Sequence, residues 1–154
     1  MRRMSTLDLW LSSQLKALPG ILETANAQVL ARRPLGGGWS AHEILAHLAR
    51  YHEVFLERVR QIIEEDRPHF SRYRAEEDPD WPGWAARTSE DVLDRMKTLR
   101  GELIGLIRAL PDEQLARVGV HQVFGPMSLE RWLEFFLAHE GHHLYVLIQR
   151  VRST

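Results

Sequence analysis

The sequence predicts an all-α fold, and within that class a four-helix bundle. Four long stretches carry apolar residues at helical spacing, Pro and Gly clusters separate them, and only one short segment is rich in β-branched residues. At 154 residues the chain falls in the single-domain range and can bury one core, so a single domain over 1–154 is expected.

The first predicted helix runs from about Thr6 to Ala31, with Leu7, Leu11, Leu15, Leu18 and Leu22 on one side and a bend or restart at Pro19-Gly20. Arg33-Pro34-Leu35-Gly36-Gly37-Gly38 stops it. The second begins at Ser40, whose spacing to Glu43 is that of a capping box, and runs to about Glu65. Glu43 is therefore read as a capping residue rather than a catalytic base. From Asp66 to Arg87, Pro68, Pro79, Pro82 and Gly83 interrupt charged residues interleaved with Phe70, Tyr73, Trp81 and Trp84. This long aromatic connection between helices 2 and 3 is either draped on the bundle or lines a pocket mouth. The third helix starts near Thr88 or Ser89, with Glu90 and Asp91 in its first turn, and is over by Pro111. Val118 to Phe124 reads as a short extended piece and Gly125-Pro126 as a turn. Ser128 then caps a fourth helix that reaches about Arg152.

Composition excludes several classes of function. A formal charge of -1 without a long run of like charges leaves no electrostatic footprint for nucleic acid. The absence of cysteine removes thiolate metal sites, catalytic cysteine and disulfides, so any metal must be held by His and carboxylates. Asp8, Gln14 and Lys16 break any signal-like apolar run after Met1-Arg2-Arg3-Met4, and no stretch approaches the roughly 20 apolar residues of a membrane span. A soluble, cytoplasmic protein is expected, with neither a membrane nor a nucleic acid as partner.

Chemistry concentrates in His139-Glu140-Gly141-His142-His143. In an ideal helix, with His139 at zero, Trp132 falls near ~20°, His143 near ~40° and Phe136 near ~60°. His142 falls near ~-60°, on the polar flank with Arg131 and Gln149. His139 and His143 are thus the preferred pair, one turn apart at the apolar face. On the second helix His47 sits at the margin of the face formed by Ile44, Leu48, Tyr51 and Phe55, while His42 points to the polar side. His52 falls among apolar positions and can be a hydrogen-bonded core histidine, a supporting group or an additional ligand. Periodicity places neither His69 nor His121. A lone histidine on an apolar margin is ordinarily a hydrogen-bonded core residue, but two unpaired imidazoles on one buried face are costly.

His139-Glu140-x-x-His143 matches the H-E-x-x-H pattern of zinc peptidases, in which the glutamate activates water. Such enzymes usually take a third ligand from downstream, and no His, Asp or Glu follows His143, which argues against that reading.

Gly38-Trp39-Ser40-Ala41-His42-Glu43-Ile44-Leu45-Ala46-His47-Leu48, together with the histidine pentapeptide, resembles the DinB/YfiT-like superfamily of metal-binding four-helix bundles over nearly the whole chain. Asp66-Arg67-Pro68-His69-Phe70 and the segment from Gly119-Val120-His121 to Gly125 look like segments of YfiT-like members. The resemblance implies up-down-down-up connectivity and a divalent metal held by His47, His139 and His143, with His142 a neighbour rather than a ligand. Val146 stands where members often carry glutamine. Three imidazoles leave positions open for water or substrate, and they suit zinc or nickel better than iron or manganese.

Characterised members include transferases and an isomerase that use a low-molecular-weight thiol such as bacillithiol or mycothiol. The leading expectation is therefore a metal-dependent S-transferase of detoxification or stress response, acting on a small-molecule substrate as a homodimer. The alternatives are a metal-activated hydrolase and a non-catalytic metal- or ligand-binding dimeric bundle.

Overall fold

The computed structural model describes residues 2–153, with side chains from residue 6 onward. In chain order its helices are α1 (Arg2–Ser13), α2 (Leu18–Leu22), α3 (Ala27–Ala31), α4 (Ala41–Glu64), α5 (Trp81–Ala85), α6 (Ser89–Arg108) and α7 (Leu129–Arg152). Its strands are β1 (His69–Phe70), β2 (Val118–His121) and β3 (Gly125–Ser128).

The long helices α1, α4, α6 and α7 form the bundle, and side-chain contacts give their directions. Glu53 faces Arg95 and Arg60 faces Glu102, so α4 and α6 advance together and are parallel. Tyr51 meets His139 while Phe55, further along α4, meets Phe136, so α4 and α7 are antiparallel. Asp8 pairs with Arg108 and the Leu11 carbonyl with Arg100, so α1 and α6 are antiparallel. The order of directions is up, down, down, up. Among the described residues no helix is long and apolar enough to cross a membrane.

Local chemistry sets the helix starts. Ser40 and Glu43 form a complete capping box: the Ser40 hydroxyl accepts from the Glu43 N–H and the Glu43 carboxylate accepts from the Ser40 N–H. Arg33 clamps the same carboxylate through two bonds, so Glu43 is committed to the cap. Thr88 and Ser128 cap α6 and α7.

Two expectations are corrected. The predicted first helix over Thr6–Ala31 is three helices: α1 ends at Ser13, residues 14–17 form a 3-10 turn, Pro19 opens α2, and Asn26 caps α3 by accepting from the Val29 N–H. Pro19 has no N–H to offer the preceding turn, so the chain tightens before it. Ser13 adds to the break by donating back to the Leu9 carbonyl. Gly125-Pro126 is not itself the turn. Residues 122–124 turn, and Gly125, at φ +74°, leads into β3. Pro126 is tolerated there because β3 is an edge strand.

The small sheet closes one end of the bundle, with β1 parallel to β2 and β2 antiparallel to β3. Gly119 of β2 lies so close to α4 that an added Cβ would sit 2.8 Å from Ile62 Cγ1 and 3.0 Å from Phe70 Cε2. The Trp132 indole N–H donates to the Gly119 carbonyl, fixing the sheet to α7.

One buried polar network joins the four long elements. Arg100 of α6 donates to both oxygens of Glu140 on α7, at 2.8 and 2.9 Å. Its Nε donates to the Leu11 carbonyl of α1, and its Nη1 donates to His52 Nε2 on α4 at 3.0 Å. His52 therefore carries its proton on Nδ1, which donates to the Leu48 carbonyl. Gln14 completes the set by donating to Glu140 and to the Leu137 carbonyl. Burial lowers the His52 pKa to about 4, against the raising effect of Glu140.

Because Arg100 and Glu140 are both almost wholly buried, removing one partner leaves an uncompensated charge. Glu140→Ala is expected to lower unfolding free energy by about 3–5 kcal/mol in urea titration. Arg100→Met combined with Glu140→Leu should recover most of that loss, whereas a double variant no better than Glu140→Ala would show that the pair does not act as a unit.

Candidate metal centre and its cavity

The three predicted histidines come together from two helices. His47 stands on α4, and His139 and His143 stand one turn apart on α7. Ring centroids are 5.6 Å apart for His47 and His139, 4.7 Å for His47 and His143, and 4.5 Å for His139 and His143. One nitrogen of each lies within 4.8 Å of the others, a group that could hold a metal ion.

Neither helix end disturbs this placement. Each of the three histidines lies several residues inside a capped helix, so the side chains project from rigid backbone. Arg150 donates to the Trp39 carbonyl and so ties the loop before α4 to α7. Gly37 and Gly38, at φ +90° and +103°, allow that loop to turn where other residues would be strained. The result seats the Trp39 ring 4.7 Å from the His47 ring.

Burial keeps the cluster neutral. The His47 pKa is lowered to about 3, first by burial and then by the neighbouring His143 and His139. Burial likewise lowers His139 to about 4, helped by His142, and His143 to about 4, helped by His139 and His142. Neutral imidazole is the form that coordinates a cation.

Hydrogen bonding separates this group from the other histidines. His42 bonds Ser89 Oγ and the Ala85 carbonyl, and both His52 nitrogens are engaged. His47 Nδ1 and His139 Nδ1, in contrast, are buried without a partner. His139 Nε2 and His143 Nε2 lie 3.1 Å apart. Two nitrogens each ~2.1 Å from one ion at tetrahedral or cis-octahedral angles are separated by roughly 3.0–3.4 Å. The unpaired buried Nδ1 of His47, the ligand-like spacing of His139 Nε2 and His143 Nε2, and an all-imidazole group fit a divalent cation.

Glu140 is not part of this group. One residue beyond His139 it is turned by roughly 100° around α7, into the core where Arg100 and Gln14 occupy both its oxygens. The water-activating role of an H-E-x-x-H glutamate is thereby closed to it. His142 is exposed, as the flank position predicts, and His69 is exposed on β1.

The histidines form one wall of a cavity of about 470 Å³, a size suited to a small molecule. Several of its residues escaped sequence reasoning. His121 is buried on β2 and lines the cavity, its Nδ1 accepting from the Val123 and Phe124 N–H groups. The alternation of β2, buried at Gly119 and His121, is the signal that could have placed it. Tyr51 and Arg58 follow His47 along one stripe of α4, since eleven residues bring the stripe back to within roughly 20°. Tyr73 lines the cavity with its ring 6.0 Å from that of His47, while Trp84 packs into the core.

The comparisons with known proteins agree with this architecture. No curated protein sequence matches the chain. Among solved structures it is similar to YfiT from Bacillus subtilis, described as a probable metal-dependent hydrolase with an unusual four-helix bundle topology. The likeness covers 98% of this chain and 85% of that one at a TM-score of 0.76, with 22% sequence identity. A sequence model of the DinB superfamily matches residues 11–147, nearly the whole chain including all three clustered histidines. The chain belongs to the DinB superfamily.

Proposed function

We propose that this chain is a metal-dependent enzyme in which His47, His139 and His143 hold a divalent cation, zinc or nickel, and a low-molecular-weight thiol is the nucleophile. The observation that carries the reading is the set of three neutral imidazoles, two with unpartnered buried nitrogens, on the wall of an open cavity. A cation bound there supplies Lewis-acid chemistry, lowering the pKa of a coordinated thiol or water and so providing a nucleophile at neutral pH.

The residues around the histidines favour the thiol over water. With Glu140 locked to Arg100, no carboxylate belongs to the histidine group among the described residues, so water would find no positioned base there. A thiol, whose free pKa is near ~8.5, needs far less assistance to ionise. Trp39 and Tyr73, both close to His47, give that wall an aromatic border. Tyr51, whose phenol burial keeps protonated, is a hydroxyl donor on the same wall. In the transfer, sulfur bonds to an electrophilic carbon, the leaving group departs with the bonding electrons, and the thiol proton passes to solvent. The second reading is hydrolysis, favoured by the description of YfiT.

Elemental analysis of purified protein is expected to find one divalent ion per chain. His47→Ala, His139→Ala and His143→Ala should each remove most of it, whereas the His142→Ala variant should keep it. Undiminished metal in His47→Ala would sink the trio. Turnover of 1-chloro-2,4-dinitrobenzene is expected only with both metal and an added small thiol. If ester substrates turn over with metal and no thiol, while this electrophile is inert, hydrolysis is the function.

Acid should weaken the metal-free fold. His47, His52, His139 and His143 are held neutral with pKa values of about 3 to 4, whereas in the unfolded chain they protonate near 6.5. The unfolded state thus binds more protons between those limits, so the stabilisation is complete above about pH 6.5 and declines toward pH 4. The urea midpoint of metal-free protein should fall between pH 7 and pH 5. An unchanged midpoint would show that these histidines are not buried neutral.

A further inference from the structure

Away from the three histidines, the cavity wall is cationic. Arg58, Arg72 and Arg74 line it against a single carboxylate, that of Glu76. Arg58 is the informative member. Only two arginines are buried among the described residues, and Arg100 is neutralised by Glu140. Arg58, 8% exposed, has no carboxylate partner; its Nη2 donates to the Ser71 carbonyl at 2.7 Å, and its guanidinium lies over the Phe70 and Trp132 rings. A guanidinium so far removed from water and left unpaired is costly unless an anion visits it.

Two further donors gather around it. The Arg72 backbone N–H is held by Gln122 on the hairpin turn, which brings that segment beside β2. Arg58, Arg72 and His121 line the same cavity, and the charges of both arginines act on His121, after burial, to disfavour its protonation. Because His121 Nδ1 accepts two backbone N–H bonds, the neutral ring carries its proton on Nε2 and has one donor to offer. Phe124 and Phe135 continue the wall as an apolar face.

We propose that this end of the cavity is an anion subsite: Arg58 and Arg72, assisted by His121, bind a carboxylate or phosphate on a small substrate whose apolar body lies against Phe124 and Phe135. Eleven residues of α4 separate His47 from Arg58, about 16 Å along the helix axis. The anionic end of the substrate thus lies toward Arg58 and its reacting part toward the histidines. The role as substrate anchor rests on the function proposed above; the anion site itself does not.

The test measures tryptophan fluorescence during titration of metal-loaded protein with phenyl phosphate, benzoate and the neutral analogue benzyl alcohol. At least one anion is expected to bind tenfold or more tighter than the alcohol, and the tighter of the two identifies the group preferred. Arg58→Gln and Arg72→Gln should each weaken that anion fivefold or more, with metal content unchanged. Arg72 is exposed, so Arg72→Gln reports even if Arg58→Gln does not fold. His143→Ala should bind the anion within twofold of the parent. Equal binding of alcohol and anions would overturn the subsite, and so would anion binding lost in His143→Ala but unaffected by Arg72→Gln, because the metal would then be the receptor. Protein that holds no metal yet binds anions through Arg72 would overturn the proposed enzyme and leave the subsite standing.

Discussion

The buried Arg100–Glu140 ion pair is the constraint from which the arrangement of the bundle follows. Neither charge has access to water, so each must find all its partners inside, and those partners come from different helices. The Leu11 carbonyl and His52 meet this need from the first and second long helices and Gln14 from the turn after α1, while Arg100 and Glu140 belong to the third and fourth. An apolar core alone tolerates sliding and rotation of helices; a bidentate pair with further hydrogen bonds does not. Locking Glu140 inward also sets the rotation of α7. His139 and His143, on the adjoining strip of the same helix, are then turned toward His47 of α4.

Two ways of burying a histidine stand side by side in this core. His52 is fully hydrogen-bonded, one nitrogen donating to a carbonyl and the other accepting from a guanidinium, so its burial costs little. His47 and His139, on the wall of the cavity, each leave a buried nitrogen without a partner. A packed core does not retain such groups without a compensating interaction, because each forfeits its hydration. Burial alone depresses the pKa of both kinds. What separates a structural histidine from a candidate ligand here is the unsatisfied nitrogen, not the shifted pKa.

Much of this was legible in the sequence where the determinants are local. The spans of α4, α6 and α7 follow from apolar period and from caps at Ser40, Thr88 and Ser128. The facing of His47, His139 and His143 follows from their positions on two amphipathic helices. The break after Ser13 was missed because part of its cause is tertiary: Gln14 reaches α7 to bond Leu137 and Glu140. The partner of Glu140 lies 40 residues away, and nothing local selects Arg100 from the chain's many arginines. The grouping of Arg58, Arg72 and His121 was equally hidden, since it depends on the register of a three-stranded sheet and on the path of a long connection.

The cavity thus has two halves with different physical origins. The histidine half is built on α4 and α7 and is held by the ion pair and the packed aromatic rings of Tyr51, Phe55 and Phe136. The cationic half takes only Arg58 from a long helix; His121, Arg72 and Arg74 come from the sheet and the connection. That connection is fastened at Asp78, which accepts from Arg50 and from the Tyr73 hydroxyl. Substitutions in the connection can reshape the cationic wall without moving the helices that carry the histidines. Substitutions at Arg100 or Glu140 disturb the histidines first. A shared bundle can therefore present similar histidine clusters to different small molecules, which is why membership of the superfamily defines the scaffold while the ligand must be read from residues 65–88 and the hairpin.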